Sequence, residues 1–87
     1  MNWKYIEEKN RGGEIIHKSW EAVGGNILAM IVYGHIYHKT GYVLHCDKLG
    51  FDTVILVGDS IDEIQVDAEM KLSTKAQDMI ESLRDFV

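Results

Sequence analysis

Three short glycine-containing breaks divide the first two thirds of the chain and limit what it can fold into. They span 24–26, 39–41 and 48–50. Three-residue hairpin loops commonly end on a left-handed residue, and each break ends on Gly or Asn, which tolerate that conformation. The intervening runs, 14–23, 27–38, 42–47 and 51–58, are rich in Ile, Val, Tyr, Leu and Thr. This pattern predicts a four-stranded antiparallel meander.

Loops of three residues also fix which side chains share a face of the sheet. They pair Val23 with Ile27, His38 with Tyr42 and Asp47 with Phe51, which places all even-numbered residues on one face. This even face is almost wholly apolar and is the predicted seat of the core: Ile16, Trp20, Ala22, Leu28, Met30, Val32, Ile36, Tyr42, Leu44, Cys46, Val54 and Leu56. The odd face is mixed and rich in aromatic residues and histidine: His17, Ser19, Glu21, Ile31, Tyr33, His35, Tyr37, Val43, His45, Thr53, Ile55 and Val57. Either the N-terminal segment covers the odd face, or that face binds a partner or a second copy; a wrong register is the third alternative.

The last 28 residues have a helical period. Ser60 and Glu63 fit a capping box, and the apolar residues that follow at steps of three or four predict an amphipathic helix: Ile61, Ile64, Ala68, Leu72, Ala76, Met79, Leu83 and Phe86. One long helix and two helices broken near Ser73 are both open. The first eleven residues could form a short helix closed by the glycines at 12–13. We therefore expect a single α+β domain, 1–87, with the sheet at about 14–58 and the helical segment at about 60–86.

Signals of catalysis or cofactor binding are weak. The expected register sets His35 opposite His45, which makes them weak candidates for a metal pair, while Cys46 faces the core. No glycine pattern matches a phosphate-binding loop, because the glycines at 24–25 open a strand rather than a helix. We expect no enzyme activity and no cofactor.

The charge of the chain is concentrated in its C-terminal part. Residues 1–46 carry four acids and five bases, whereas residues 47–87 carry ten acids and four bases, so the net charge of −5 is the sum of +1 and −6. Five acids fall at 59–69 without a base. They either form a solvated helix face that favours the positive end of the helix dipole or complement a basic partner.

These features favour a binding protein. In size, charge and layout the chain is similar to small acidic sheet-plus-helix proteins of phages and mobile elements, such as anti-CRISPR-type inhibitors and antitoxins. That similarity implies a non-enzymatic inhibitor that blocks a larger, basic, nucleic-acid-handling protein without binding nucleic acid or membrane itself. Its expected contacts are Tyr33, His35, Tyr37, Asp62, Glu63, Asp67 and Glu69. The alternatives are a module that dimerises through the odd face, or a small metal protein using His35 and His45.

A cytoplasmic location is expected. The chain has one cysteine, no apolar run of about 18 residues, and no apolar stretch at its N-terminus like that of a signal peptide.

Overall fold

The computed structural model describes residues 1–35 and 38–86 and has an antiparallel sheet with one helix packed on it. The sheet order follows the chain, β1-β2-β3-β4-β5. The strands are β1 (Lys4–Lys9), β2 (Ile15–Gly24), β3 (Ile27–His35), β4 (His38–Cys46) and β5 (Phe51–Leu56), and a 3₁₀ turn (Asp47–Leu49) precedes β5. The helix α1 spans Ile61–Arg84. The α+β class is confirmed, but the sheet has five strands rather than the predicted four.

The additional strand is the N-terminal segment, so the predicted N-terminal helix is wrong. β1 pairs along the edge of β2, with Tyr5 opposite Trp20. The connection turns at Asn10, whose Oδ1 accepts hydrogen bonds from the backbone N–H groups of Gly12 at 2.9 Å and Glu14 at 3.0 Å. A helix of this length is marginal in water, whereas the edge of β2 offers partners for a whole strand. The N-terminal segment therefore extends the sheet instead of covering one of its faces.

The hairpin that joins β2 to β3, called the first hairpin because it is the first of the three predicted, has a two-residue turn rather than the predicted three-residue loop. Gly24 pairs with Ile27, so only Gly25 and Asn26 form the turn. Gly25 has φ +61°, and no non-glycine residue in the described part of the chain has positive φ; this is the pattern of a type II′ turn. The difference of one residue turns β3 over relative to β2. Odd residues of β3 therefore lie on the same face as even residues of β2.

The second predicted turn is also misplaced, because residues 39–41 lie inside β4. Tyr33 pairs with Tyr42 and Ile31 with Leu44, and a bulge follows Tyr33 where Gly34 has φ +75°. The link between β3 and β4, at 36–37, lies outside the described residues.

The third hairpin comes closest to its prediction. Leu44 pairs with Val54 in the predicted register, and Gly50 is left-handed with φ +77°. Only the terminal pair differs, since a bulge sets Phe51 opposite Cys46 instead of Asp47.

The core lies between α1 and one face of the sheet, here called the helix-side face. Ile64, Ala68 and Leu72 are the buried residues of the helix. They pack in one cluster with the buried residues of the strands: Ala29, Ile31, Leu44, Cys46 and Leu56. Ile31 is wholly buried, whereas Leu28, predicted for the core, is 44% exposed. Both exposures follow from the two-residue turn, which turns β3 over so that its odd residues face the helix.

The opposite face, here called the open face, has no second layer among the described residues. A row of directly paired residues crosses all five strands there: Ile6, Ser19, Val32, Val43 and Ile55. Ser19 and Val43, which flank Val32 in this row, are nearly inaccessible, and Ile55 at its end is 54% exposed. Ser19, Val43 and Ile55 were predicted for this face, but Val32 was not.

The helix continues past Ser73 without a break, and it is longer than the sheet that it covers. Its 24 residues span about 36 Å. Beyond Ala76 its apolar residues are increasingly exposed, with Met79 at 40%, Ile80 at 48% and Leu83 at 62%. The molecule is accordingly elongated, 56 × 26 × 23 Å. We call residues 77–86 the helix extension.

Within the described part of the chain, no helix has both the length and the apolar character that a membrane span requires.

Candidate binding site

Four aromatic side chains from four strands form a continuous cluster on the helix-side face. The ring centroids of Tyr5 and Trp20 are 5.0 Å apart, those of Trp20 and Tyr42 are 5.7 Å apart, and those of Tyr42 and Tyr33 are 5.0 Å apart. Tyr5 and Trp20 are a direct cross-strand pair, as are Tyr33 and Tyr42. Such pairs bring side chains into contact across a sheet. The rings are tilted relative to one another, an arrangement that aromatic pairs favour.

The cluster lines an open groove of about 410 Å³, which we call the aromatic groove. Lys18 and Ile61 complete its lining. α1 begins at Ile61 and its core residues come later in the helix, so this end of the helix-side face is left partly uncovered. Trp20, Tyr33 and Tyr42 are half-buried, and Tyr5 is 44% exposed. The groove therefore presents ring faces that the rest of the described chain does not cover.

Charged groups of both signs border the aromatic groove. The Lys18 Nζ lies 5.8 Å from the centroid of the Tyr33 ring, within the distance of a cation–π contact. Glu7 is the cross-strand partner of Lys18. Partial loss of hydration, and then the hydrogen bond and negative charge of Glu7, raise the pKa of Tyr5 above 10.0. Tyr5 is therefore a neutral phenol at physiological pH.

Ser60 caps the start of α1, and of the acids around it only Glu63 accepts a backbone hydrogen bond among the described residues. Ser60 Oγ accepts from the backbone N–H of Glu63 at 3.2 Å, and the Glu63 carboxylate accepts from the backbone N–H of Asp59 at 2.6 Å. The predicted cap at Ser60 is thus confirmed, whereas the Glu63 carboxylate bonds to the amide of Asp59 rather than to that of Ser60 as a capping box would have it. Asp62 directly follows Ile61 of the groove; it is exposed, and its carboxylate bonds to no group that the structure describes.

The two later acids of the predicted surface tie the helix to the rest of the fold. Asp67 accepts from Lys71 Nζ at 2.8 Å through both oxygens and from the backbone N–H of Val57 at 2.9 Å. Glu69 Oε1 accepts from Trp3 Nε1 at 3.2 Å and lies 3.5 Å from the N-terminal amine. Both carboxylates hold elements together as well as adding negative charge.

Asp67 makes the stability of the fold sensitive to acid. The hydrogen bond from Lys71 holds the pKa of Asp67 below 3.8, and the bond from Val57 adds to this effect against the opposing influence of burial. The stabilisation is therefore present above about pH 4 and lost as pH falls through the lowered pKa. We expect Asp67→Asn to cost about 1 kcal/mol at pH 7, because the site is partly exposed to solvent, and to cost less below pH 4.

Urea unfolding at pH 7 and pH 3 measures this difference. Asp78→Asn is the matched control, because Asp78 is an exposed acid of the same helix. An equal cost of Asp67→Asn at both pH values would contradict the role of the ionised carboxylate.

The remaining residues of the predicted surface are dispersed. Tyr33 lies in the aromatic groove on the helix-side face, not on the open face. His35 ends β3, and Tyr37 lies outside the described residues. The predicted pairing of His35 with His45 is wrong, because His35 pairs with His38 and His45 with Met30.

His45 has other partners. Its Nε2 lies 3.0 Å from Asp47 Oδ1, and its Nδ1 is 2.8 Å from the backbone oxygen of Asp52. Among the described residues no three ligating side chains are grouped as a metal site would need.

The partners of Tyr33 in the groove were not expected from the sequence. Tyr5 was assigned to a helix, and Trp20 and Tyr42 were assigned to the other face from Tyr33. The signals that would have found the groove are the two-residue turn at Gly25 and the strand period of β1. Together they bring Tyr5 and the even residues of β2 onto the face of Tyr33, and the bulge at Gly34 brings the even residues of β4 there as well.

The aromatic groove combines exposed ring faces with charged groups at its border. Aromatic faces beside a carboxylate attract flat or cationic groups. The chain matches no protein-family model, and comparison with curated proteins and with solved structures gives no significant relative.

Proposed function

We propose that this protein is a non-enzymatic binding protein that docks on a basic surface of a larger protein and receives an arginine side chain in the aromatic groove. The observation that carries the proposal is the groove itself, in which four aromatic rings open to solvent beside the acidic first turn of α1. Side chains that pack this closely without a covering layer are typical of a contact surface.

The groove favours arginine because of the groups that surround it. A guanidinium stacks on aromatic faces and forms hydrogen bonds to carboxylates at the same time. Lys18 lies over Tyr33, so the rings left for an incoming cation are Tyr5, Trp20 and Tyr42. Asp62, the residue that follows Ile61 of the groove, supplies an exposed carboxylate. Each cation–π contact contributes about 0.5–2 kcal/mol, depending on how dry the contact is.

The charge distribution indicates the class of partner. The segment 47–87 has a net charge of −6, and such a surface accelerates association with a basic protein and selects against acidic ones. Proteins that handle nucleic acids present arginine and lysine to phosphates. An acidic protein bound to that surface competes with the nucleic acid, so inhibition of a nucleic-acid-handling or defence protein of the anti-CRISPR or antitoxin kind follows as the biological role.

Binding of a labelled arginine–glycine repeat peptide tests the proposal. Fluorescence anisotropy at low and at high salt should show binding that weakens as salt rises. Asp62→Lys is expected to weaken the low-salt affinity about tenfold, because an attraction becomes a repulsion. Asp78→Lys makes the same change of charge at the far end of α1 and should have a much smaller effect.

A second variant separates the groove from general electrostatics. Tyr5→Ser removes one exposed ring at the edge of the sheet and leaves the net charge unchanged. It should weaken the arginine peptide several-fold and a lysine–glycine peptide less, because lysine stacks less well. No binding at low salt, equal losses in the two Asp→Lys variants, or preferential binding of a single-stranded oligonucleotide would overturn the proposal.

A further inference from the structure

We propose that two copies of this chain associate through the helix extension, as an antiparallel pair related by a two-fold axis. The inference rests on the C-terminal end of α1 and does not depend on the proposed function. It also differs from dimerisation through the aromatic face of the sheet, because the surface lies at the opposite end of the helix from the aromatic groove.

The shape of this end of the molecule suits the pairing of two copies. An apolar groove of about 290 Å³ lies between α1 and the first hairpin, and its lining includes Val23, Ile27, Leu72 and Ala76. We call it the end groove. The helix extension continues directly from it with the same apolar stripe. A convex ridge beside a concave groove on one surface is what a two-fold interface needs, since the ridge of each copy fills the groove of the other.

A large apolar area is exposed at this end of the molecule. Phe86 is 86% exposed, Val23 71% and Leu83 62%, and Ile80, Met79 and Ile27 are 36–48% exposed. At roughly 150–200 Å² for each side chain, toward the low end of the aromatic range, these residues expose roughly 600 Å² per copy. A two-fold pair that covered all of this surface would bury roughly 1,200 Å² in total, the lower end of the range for specific interfaces.

Positive charge flanks the apolar stripe at this end of α1. At about 100° per residue, Lys75 and Arg84 lie about 180° apart, one on each side of the stripe. A partner with a strongly basic surface would bring its charges against these two cations, whereas a second copy brings its own apolar stripe.

Sedimentation equilibrium of the purified chain tests the pairing. The wild type should be a dimer at roughly 100 µM, above the micromolar dissociation constants of weak specific interfaces. Leu83→Glu should raise the dissociation constant about 30-fold or more, because it places a carboxylate in the apolar contact. Gln77→Glu adds the same charge on the other side of the helix and should leave the dimer intact. Tyr33→Lys should also leave it intact.

A short bismaleimide cross-linker gives an independent geometric test. Cys46 is fully buried, so an introduced cysteine is the reactive one. Met79→Cys should form covalent dimers in high yield, and Glu81→Cys, on the opposite side of the helix, should not. A monomeric wild type, a dimer that Tyr33→Lys dissociates but Leu83→Glu does not, or equal cross-linking at both positions would overturn the inference.

Discussion

Replacing Ile31 by alanine is expected to lower the free energy of unfolding by about 3–4 kcal/mol, whereas Leu28→Ala should cost less than about 1 kcal/mol. Ile31 is wholly buried at the centre of the helix-side face, and Leu28 is 44% exposed on the open face. A truncation at Ile31 leaves a cavity between the sheet and α1, while one at Leu28 removes atoms that already contact water. Urea unfolding followed by tryptophan fluorescence measures both values.

This pair of variants tests the register of the first hairpin. A three-residue loop would place Leu28 in the core and Ile31 on the opposite face. In that case Leu28→Ala would lower the free energy of unfolding more than Ile31→Ala. Ile31→Val removes one methylene and is expected to cost about 1 kcal/mol, which keeps the comparison measurable if the alanine variant does not fold. A cost at Leu28 that equals or exceeds the cost at Ile31 would contradict the two-residue turn.

Gly58→Ala is expected to cost about 2–3 kcal/mol because the added methyl group has no room. A Cβ at this position would lie 2.8 Å from Glu63 Cβ and 2.9 Å from the backbone nitrogen of Ile64. That nitrogen donates the first hydrogen bond of α1, to the Ser60 carbonyl at 3.0 Å. The methyl group would push the start of the helix away from the end of β5, and a lowered midpoint of thermal unfolding would show it.

Gly24→Ala is the control for this effect. A Cβ at Gly24 meets no atom within 4 Å, so the same substitution should change stability by no more than about 0.5 kcal/mol. If the two alanine variants unfold at the same temperature, the close approach at Gly58 does not constrain the connection between β5 and α1.

The parts of the fold that the sequence predicts well are those with one local solution. Ser60 and Glu63 specify the start of α1, and the helical period carries it through Ser73 because no Gly or Pro interrupts it there. The first hairpin is different, since its Gly-Gly-Asn run is compatible with loops of two and three residues. The second is ambiguous in another way, because Gly34 and Gly41 both accept a left-handed conformation. One residue of error in either turn reverses a strand's faces.

The candidate site could not be read from the sequence for a related reason. The aromatic groove is assembled from four strands, so it exists only when every register between them is right. The acidic run is visible in the sequence, but the sequence does not show which of its carboxylates bond to other parts of the fold. Asp67 and Glu69 contact distant parts of the chain, which no local pattern shows, and Asp62 is distinguished from them only by having no such contact.

The sequential order of the strands leaves two free edges, and these bear on aggregation. An unpaired edge can template the addition of strands from other molecules unless something discourages it. β1 has four charged residues among its six, and this charge opposes the stacking of copies along that edge. β5 is short, and the backbone N–H just beyond it, at Val57, is already bonded to Asp67. The same carboxylate that anchors the helix therefore also removes a donor that an incoming strand could have used to begin a fibril.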